Sequence, residues 1–234
     1  MIRCFLLSGG IGSRLKPITL KIPKCLVPVK NKPILFHWID FLKNFGVKEI
    51  LINTHYLHKI VEKFIRSNNY SDVVELSYEK SLLGTAGSIL KNSNFFKNEK
   101  FLVAHADNYT SFDLKDFLNY HNNRAKGIIG TMMVFKVKKT EMFGIVKKSN
   151  ENIMTNFYEK KKEKMGNLAN AAIYIFEPDI IKIIQKIKKK KIDISLDLIP
   201  RLFNKLQIYE NKDFVIDIGT NHGLNLANKI KGGF

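Results

Sequence analysis

Cysteine is scarce in this chain, with two among 234 residues, Cys4 and Cys25. Neither sits in a Cys-x-x-Cys pair or at Cys/His ligand spacing, which excludes a zinc ribbon and a disulfide-framed fold. Cys4 falls in an apolar run and reads as a small packed hydrophobe, whereas Cys25, just after Lys24, is expected to be partly exposed. Long apolar stretches are missing as well, so no segment has the length of a membrane span. The first residues run straight into a short apolar segment, without the charged start and longer apolar core of an export signal. The expectation is a soluble, cytoplasmic protein. Negative charge is also in short supply: 21 acidic residues stand against 39 Lys and Arg, a formal charge of +18. Such an excess fits nucleic acid, an anionic surface or phosphorylated small molecules. The lysines are spread along the chain, however, and the densest run, Lys186 to Lys191, reads as a solvated helix end. No basic stripe with interleaved aromatics is visible, so neither nucleic acid nor membrane is an expected partner. A basic nucleic-acid-binding protein remains a remote alternative.

Linkers, repeats and low-complexity segments are absent too, while 45% hydrophobic residues, including 17 Phe, supply a substantial core. Runs of strand length alternate with helical spacing. Strands are expected at Ile2–Leu7, Glu49–Ile52, Val73–Tyr78 and Lys100–Ala104, and helices at Pro33–Phe45, Leu57–Ile65 and from Thr85 to Leu90. Later strands are expected at Gly130–Val137, Phe143–Lys147, Thr155–Glu159, Asn170–Phe176 and Phe214–Ile218. Helical segments are expected at Pro178–Lys188, at Ile194–Leu206 and after Thr220. This alternation predicts an α/β fold, Rossmann-like and doubly wound, with a mostly parallel twisted sheet flanked by helices. Ligands of such sheets bind beyond the carboxyl ends of the strands.

The segment after the first strand is the most informative. Cys4-Phe5-Leu6-Leu7 opens into Ser8-Gly9-Gly10-Ile11-Gly12-Ser13-Arg14-Leu15, and Pro23-Lys24 follows. Glycines let backbone N–H groups approach phosphate oxygens, and Arg and Lys supply positive charge. A P-loop is excluded because Gly-x4-Gly-Lys-Ser/Thr does not occur, and a dinucleotide fingerprint starting at Gly10 fails at Leu15. Trp38 follows the helical period of its neighbours and reads as core. His55 and His58 lack further ligands.

In chain order, Gly9 to Leu15, Pro23-Lys24 and Leu26-Val27-Pro28-Val29 are followed by Gly84-Thr85-Ala86-Gly87 and His105-Ala106-Asp107-Asn108. Then come Phe143-Gly144-Ile145-Val146, Phe157-Tyr158-Glu159-Lys160, Asn170-Ala171-Ala172-Ile173-Tyr174 and Asp217-Ile218-Gly219-Thr220. The series resembles the sugar-1-phosphate nucleotidyltransferase (nucleotide-sugar pyrophosphorylase) family over nearly the whole chain. The Gly-Thr-Ala-Gly form looks most like mannose- and heptose-1-phosphate guanylyltransferases. Two positions depart from the family pattern: Lys161 stands where Pro usually follows, and Ala172 where Gly is usual.

The resemblance implies a GT-A-like nucleotidyltransferase fold in one domain, residues 1–234, with 1–110 serving the nucleotide and 111–234 the sugar phosphate. It implies an enzyme that makes an NDP-sugar and pyrophosphate for surface-glycan synthesis from an NTP, GTP by preference, and a sugar 1-phosphate. The sugar expected is a manno-configured hexose or D-glycero-D-manno-heptose. Uridylyl, thymidylyl or cytidylyl transfer, including transfer to phosphocholine or another non-sugar phosphate, remains the alternative. Arg14 and Lys24 are the implied catalytic cations, and Asp107 and Asp217 the implied ligands of Mg²⁺. Leu6, Ser8, Gly9, Gly10, Gly12, Ser13, Glu79, Gly84, Thr85 and Ala86 are implied to surround the nucleotide. Gly144, Glu159, Lys160 and Asn170 are implied to meet the sugar phosphate. The chain ends soon after Asp217, so a monomer or simple homodimer is expected.

Overall fold

The computed structural model describes residues 2–161, 163 and 165–234. In chain order its first elements are β1 (Arg3–Leu7), β2 (Pro28–Val29), β3 (Lys32–Pro33), α1 (Ile34–Asn44), β4 (Ile50–Thr54), α2 (His58–Ser67), β5 (Val74–Tyr78) and α3 (Thr85–Lys91). Then follow β6 (Phe101–His105), β7 (Asn108–Thr110), α4 (Leu114–Asn122), β8 (Gly130–Lys136), β9 (Gly144–Lys148), β10 (Met154–Glu159) and β11 (Leu168–Phe176). The last are α5 (Asp179–Gln185), β12 (Leu206–Glu210), β13 (Val215–Asp217) and α6 (Asn221–Lys229). Among the described residues no helix is long and apolar enough to cross a membrane. The chain forms two compact units: Met1–Leu82 with Ala104–Ser111 and Val215–Phe234, and Leu83–Val103 with Phe112–Phe214.

The first unit carries the parallel strands β1, β4 and β5, with Leu7 opposite Asn53 and Ile52 opposite Leu76. Every residue of β1 and β4 is buried, as strands covered on both faces require. Helix α1 buries Ile34, Leu35, Trp38, Ile39, Phe41 and Leu42, each contributing about 1.5–3 kcal/mol on burial. The helix stops where expected: Gly46 N–H donates to Lys43 O and Val47 N–H to Leu42 O. Trp38 is core, as its spacing predicts, and its indole N–H donates to Asn108 O at 2.9 Å. Strands β7 and β13 pair antiparallel, Asp217 opposite Asn108. Cys25 corrects the sequence reading. It is buried rather than partly exposed, and burial pushes its thiol up to about 12.

In the second unit β8 pairs antiparallel with β11 and parallel with β12, while β9 lies antiparallel to both β10 and β11. The α/β class read from the sequence is the class found, with antiparallel pairing concentrated in this later half. The helical segment expected over 194–206 is much shorter. Asp193 caps a π-helical turn at Ile194–Leu198, a 3₁₀ turn ends at Arg201, and Leu206 already belongs to β12. Ladder pairing with Gly130 outweighs the local helical spacing there. Buried His121 holds this unit's α4 in place, with Nδ1 2.8 Å from Thr131 Oγ1 and Nε2 3.0 Å from Glu177 Oε1. Arg124 reaches the same carboxylate at 2.7 Å.

Candidate active site

The polar side chains singled out in the sequence gather in two clusters, one within each unit. In the first unit, β1 ends at Leu7, and Ser8 is tied to β4: its N–H donates to Asn53 Oδ1 at 2.7 Å and its hydroxyl to Asn53 O. Asn53 in turn donates from Nδ2 to Glu79 Oε1 at 3.1 Å. Glu79 is buried, so its carboxylate braces the start of the glycine loop. Leu6 is fully buried and Gly9 is buried, whereas Gly10 and Ser13 are exposed. Gly12 holds φ +71°, and a Cβ there would lie 2.8 Å from Thr19 Cγ2, so both conformation and space demand glycine. The Thr19 hydroxyl donates to Gly12 O at 2.8 Å.

Beyond this loop four charged side chains meet. The β7–β13 ladder sets Asp107 and Asp217 side by side, and Ile218 N–H donates to Asp107 O at 3.0 Å. Lys24 leaves a 3₁₀ turn and donates to Asp107 Oδ2, with Asp217 Oδ1 3.8 Å away. Arg14 Nη2 lies 3.5 Å from Asp217 Oδ2. Burial favours the uncharged carboxyl of Asp107, but the Lys24 ammonium and then His105 outweigh it and hold its pKa below the usual range. Burial likewise lowers Lys24, yet Asp107 and Asp217 raise it further, so its ammonium is favoured. Asp217 Oδ1 accepts from Gly219 N–H at 2.7 Å, and a Cβ on Gly219 would lie 2.5 Å from Lys24 Nζ. No group of three or more His, Cys, Asp or Glu forms a metal cluster among the described residues. Two carboxylates that converge on one ammonium do present hard oxygen donors to a single point of positive charge. That pair fits Mg²⁺, which takes few protein carboxylates and completes its shell with phosphate and water.

The second cluster is built on three adjacent strands. Ile145 of β9 is opposite Tyr158 of β10 and Ala169 of β11, and Gly144 is opposite Glu159. One register step therefore aligns Glu159, Gly144 and Asn170. A Cβ on Gly144 would lie 2.4 Å from Phe157 Cζ and 2.7 Å from Glu159 Oε2, so glycine makes room for that ring and carboxylate. Lys160, at φ +46°, keeps its ammonium 3.5 Å from Glu159 Oε1. Gly84, Thr85 and Ala86 turn their polar groups inward. Ala86 N–H donates to Ile192 O at 2.9 Å, and the Thr85 hydroxyl donates to Asp193 Oδ2 and accepts from Ile194 N–H. Asp193 also caps the following turn through Ser195 and Leu196 N–H. Sequence reasoning passed over Asn53, and it quoted Tyr174 within the motif that starts at Asn170 without giving it a role. A polar residue at the end of the apolar run Ile50-Leu51-Ile52 was the available signal for Asn53.

The family model described as nucleotidyl transferase matches residues 4–230. The chain belongs to this family. The mannose-1-phosphate guanylyltransferase catalytic subunit beta of Drosophila pseudoobscura pseudoobscura is 33% identical over 223 residues, covering 93% of this chain and 59% of the relative. The chain thus spans about three-fifths of the length of the curated relatives it matches. HddC from Yersinia pseudotuberculosis, crystallised with GMP-PN, superposes with a TM-score of 0.82 at 25% identity, over 98% of this chain and 99% of that one. An apo UDP-glucose pyrophosphorylase shares the fold, with a TM-score of 0.83 at 23% identity over 97% of each chain.

Proposed function

We propose that this chain transfers a nucleoside monophosphate from an NTP to a sugar 1-phosphate, with GTP and a manno-configured hexose or heptose 1-phosphate as the pair. The observation that carries this reading is the convergence of Lys24 on Asp107 and Asp217, with Arg14 beside Asp217, in the unit that holds the glycine-rich loop. A sugar 1-phosphate is anionic near neutral pH, so no side chain needs to remove a proton from it. One of its phosphate oxygens bonds to the α-phosphorus while the bond from that phosphorus to the bridging oxygen breaks, and the electron pair leaves with pyrophosphate. The obstacle is repulsion between two polyanions. Arg14 neutralises the triphosphate, and Lys24 offsets the charge growing on the α-phosphoryl oxygens. Asp107 and Asp217 would hold Mg²⁺, whose chemistry when bound is Lewis-acid neutralisation of phosphate oxygens.

Recognition is divided among the remaining residues. Ser8, Gly9, Gly10, Gly12 and Ser13 offer the loop backbone to phosphate, Leu6 and Glu79 shape its base, and Gly84, Thr85 and Ala86 serve the nucleoside. Glu159 accepts from sugar hydroxyls, Lys160 binds the sugar phosphate, Asn170 offers an amide, and Gly144 leaves the space they need. The guanylyltransferase names of the curated relatives and the GMP-PN bound to HddC support guanine. We take the chain to act as one nucleotidyltransferase domain in the cytoplasm, as a monomer or simple homodimer, supplying surface-glycan synthesis. The test is pyrophosphate release with Mg²⁺ across four NTPs and a panel of sugar 1-phosphates, with Asp107→Ala as control. Turnover with GTP and a manno-configured substrate, lost in the variant, is expected. Turnover with UTP or dTTP instead would replace the nucleobase and keep the chemistry. Silence from folded protein with every pair would overturn the proposal.

A further inference from the structure

Strand β11 does not run regularly. Asn170 is opposite Val134 and Tyr174 opposite Met132, so four steps along β11 match two along β8. The extra residues are taken up in a bulge at Ala172, which adopts φ +52°. The bulge brings residues i and i+4 to the spacing of i and i+2, and Asn170 Nδ2 donates to the Tyr174 hydroxyl at 2.7 Å. On the other side of the amide, Ala172 N–H donates to Asn170 Oδ1 at 2.9 Å. A backbone N–H only donates, so the oxygen must face Ala172 and the NH₂ must face Tyr174. The Tyr174 ring is fully buried and stacks on Phe176 at 5.2 Å, with the Ser195 side chain near its hydroxyl. With both ends held, Asn170 keeps one N–H and one oxygen lone pair for a ligand. That is the complement of two adjacent hydroxyls, one accepting and one donating.

We infer that Tyr174 is a positioning residue for substrate selection: its buried hydroxyl locks the Asn170 amide in the orientation that reads a hydroxyl pair on the sugar. The inference rests on the assignment of Asn170 to the sugar phosphate. It extends that assignment to a fully buried residue acting through the Asn170 amide.

Tyr174→Phe removes one oxygen and keeps the stacked ring. It is expected to raise KM for the sugar 1-phosphate about three- to tenfold, the value of one neutral hydrogen bond, with kcat and KM for the NTP within twofold of wild type (about 0.4 kcal/mol). Ser195→Ala, which leaves the Asn170–Tyr174 bond in place, is expected to move the same KM in the same direction by less, and it serves if the phenylalanine variant is poorly folded. In parallel, NMR hydrogen exchange of the Asn170 side-chain amide, assigned by its loss in Asn170→Ala, should show one protected proton that loses protection in Tyr174→Phe. Unchanged sugar KM, or an equal rise in both KM values, in an active enzyme would overturn the inference and leave the functional proposal standing. If the wild type turns over no sugar phosphate, the functional proposal fails, and the inference with it for sugar. Amide protection then decides whether Tyr174 holds Asn170 at all.

Discussion

In the first unit Lys24, Arg14, Asp107 and Asp217 meet as charged groups, Lys24 against both carboxylates and Arg14 beside Asp217. In the second, Asn170 and Tyr174 meet as neutral donor and acceptor, arranged by a bulged strand with a glycine alongside. Charge is strong and tolerant of direction, which suits neutralising phosphate whatever sugar or base is attached. Neutral hydrogen bonds are weaker and directional, which suits telling one pattern of hydroxyls from another. Variants of the charged cluster should therefore lower turnover with every substrate, and variants of the neutral one should change which substrate is used.

The sharpest break in that contrast comes from Asp107→Asn. It removes one of two candidate metal carboxylates and leaves Lys24 without its closest partner. Pyrophosphate release should fall by about a thousandfold with every NTP–sugar pair; a fall confined to one sugar would undo the division of roles. Lys24→Met should cost about a hundredfold in kcat while the KM for sugar phosphate stays close to wild type. Gly144→Ala pushes a methyl into Phe157 and Glu159. It should raise the sugar-phosphate KM about tenfold and lower stability by about 1–3 kcal/mol, read from a urea titration beside the kinetics. Milder still is a pH effect confined to the second unit. Burial pushes the His121 imidazole below its ordinary 6.5, and Arg124 and Lys100 add to this while Glu177 opposes it. An unfolded chain binds a proton below 6.5 that the folded one refuses until its own lower pKa, so stability is full above 6.5 and declines as the pH falls through that interval. His121→Gln should flatten the decline in urea midpoints measured from about pH 7.5 to 5. The smallest effect is Ala172→Gly, which relieves a left-handed alanine and should add about 0.5–1 kcal/mol. Its sugar-phosphate KM tests whether the bulge itself, rather than the strain within it, sets Asn170.

The α/β class, the first strand, the glycine-rich loop and the charged residues were legible in the chain alone. Strand β1 is an uninterrupted apolar run, helix α1 carries a buried stripe at helical period, and Arg14 and Lys24 follow the loop within a short distance. These are local signals, set by the spacing of neighbouring residues and the freedom of glycine. Helix α4 was also open to a local reading, because Asp113 accepts from Lys115 and Asp116 N–H as its cap, but its buried face holds only two apolar residues, Leu114 and Phe117, beside His121. Strand β12, in contrast, was not expected: it begins at Leu206, the last residue of the expected helical segment, and exists because Leu206 to Glu210 complete a ladder with β8.

The meeting of Asp107 with Asp217 depends on the β7–β13 pairing, and no local rule joins segments so far apart. The inward turn of Glu79 depends on Asn53, and the inward turn of Thr85 on Asp193. The orientation of Asn170 depends on a register shift against β8. Residue types and short spacings therefore determined which chemistry this chain carries. Strand register and burial, which are properties of pairs of segments, decided which of those side chains meet and in which direction each one points.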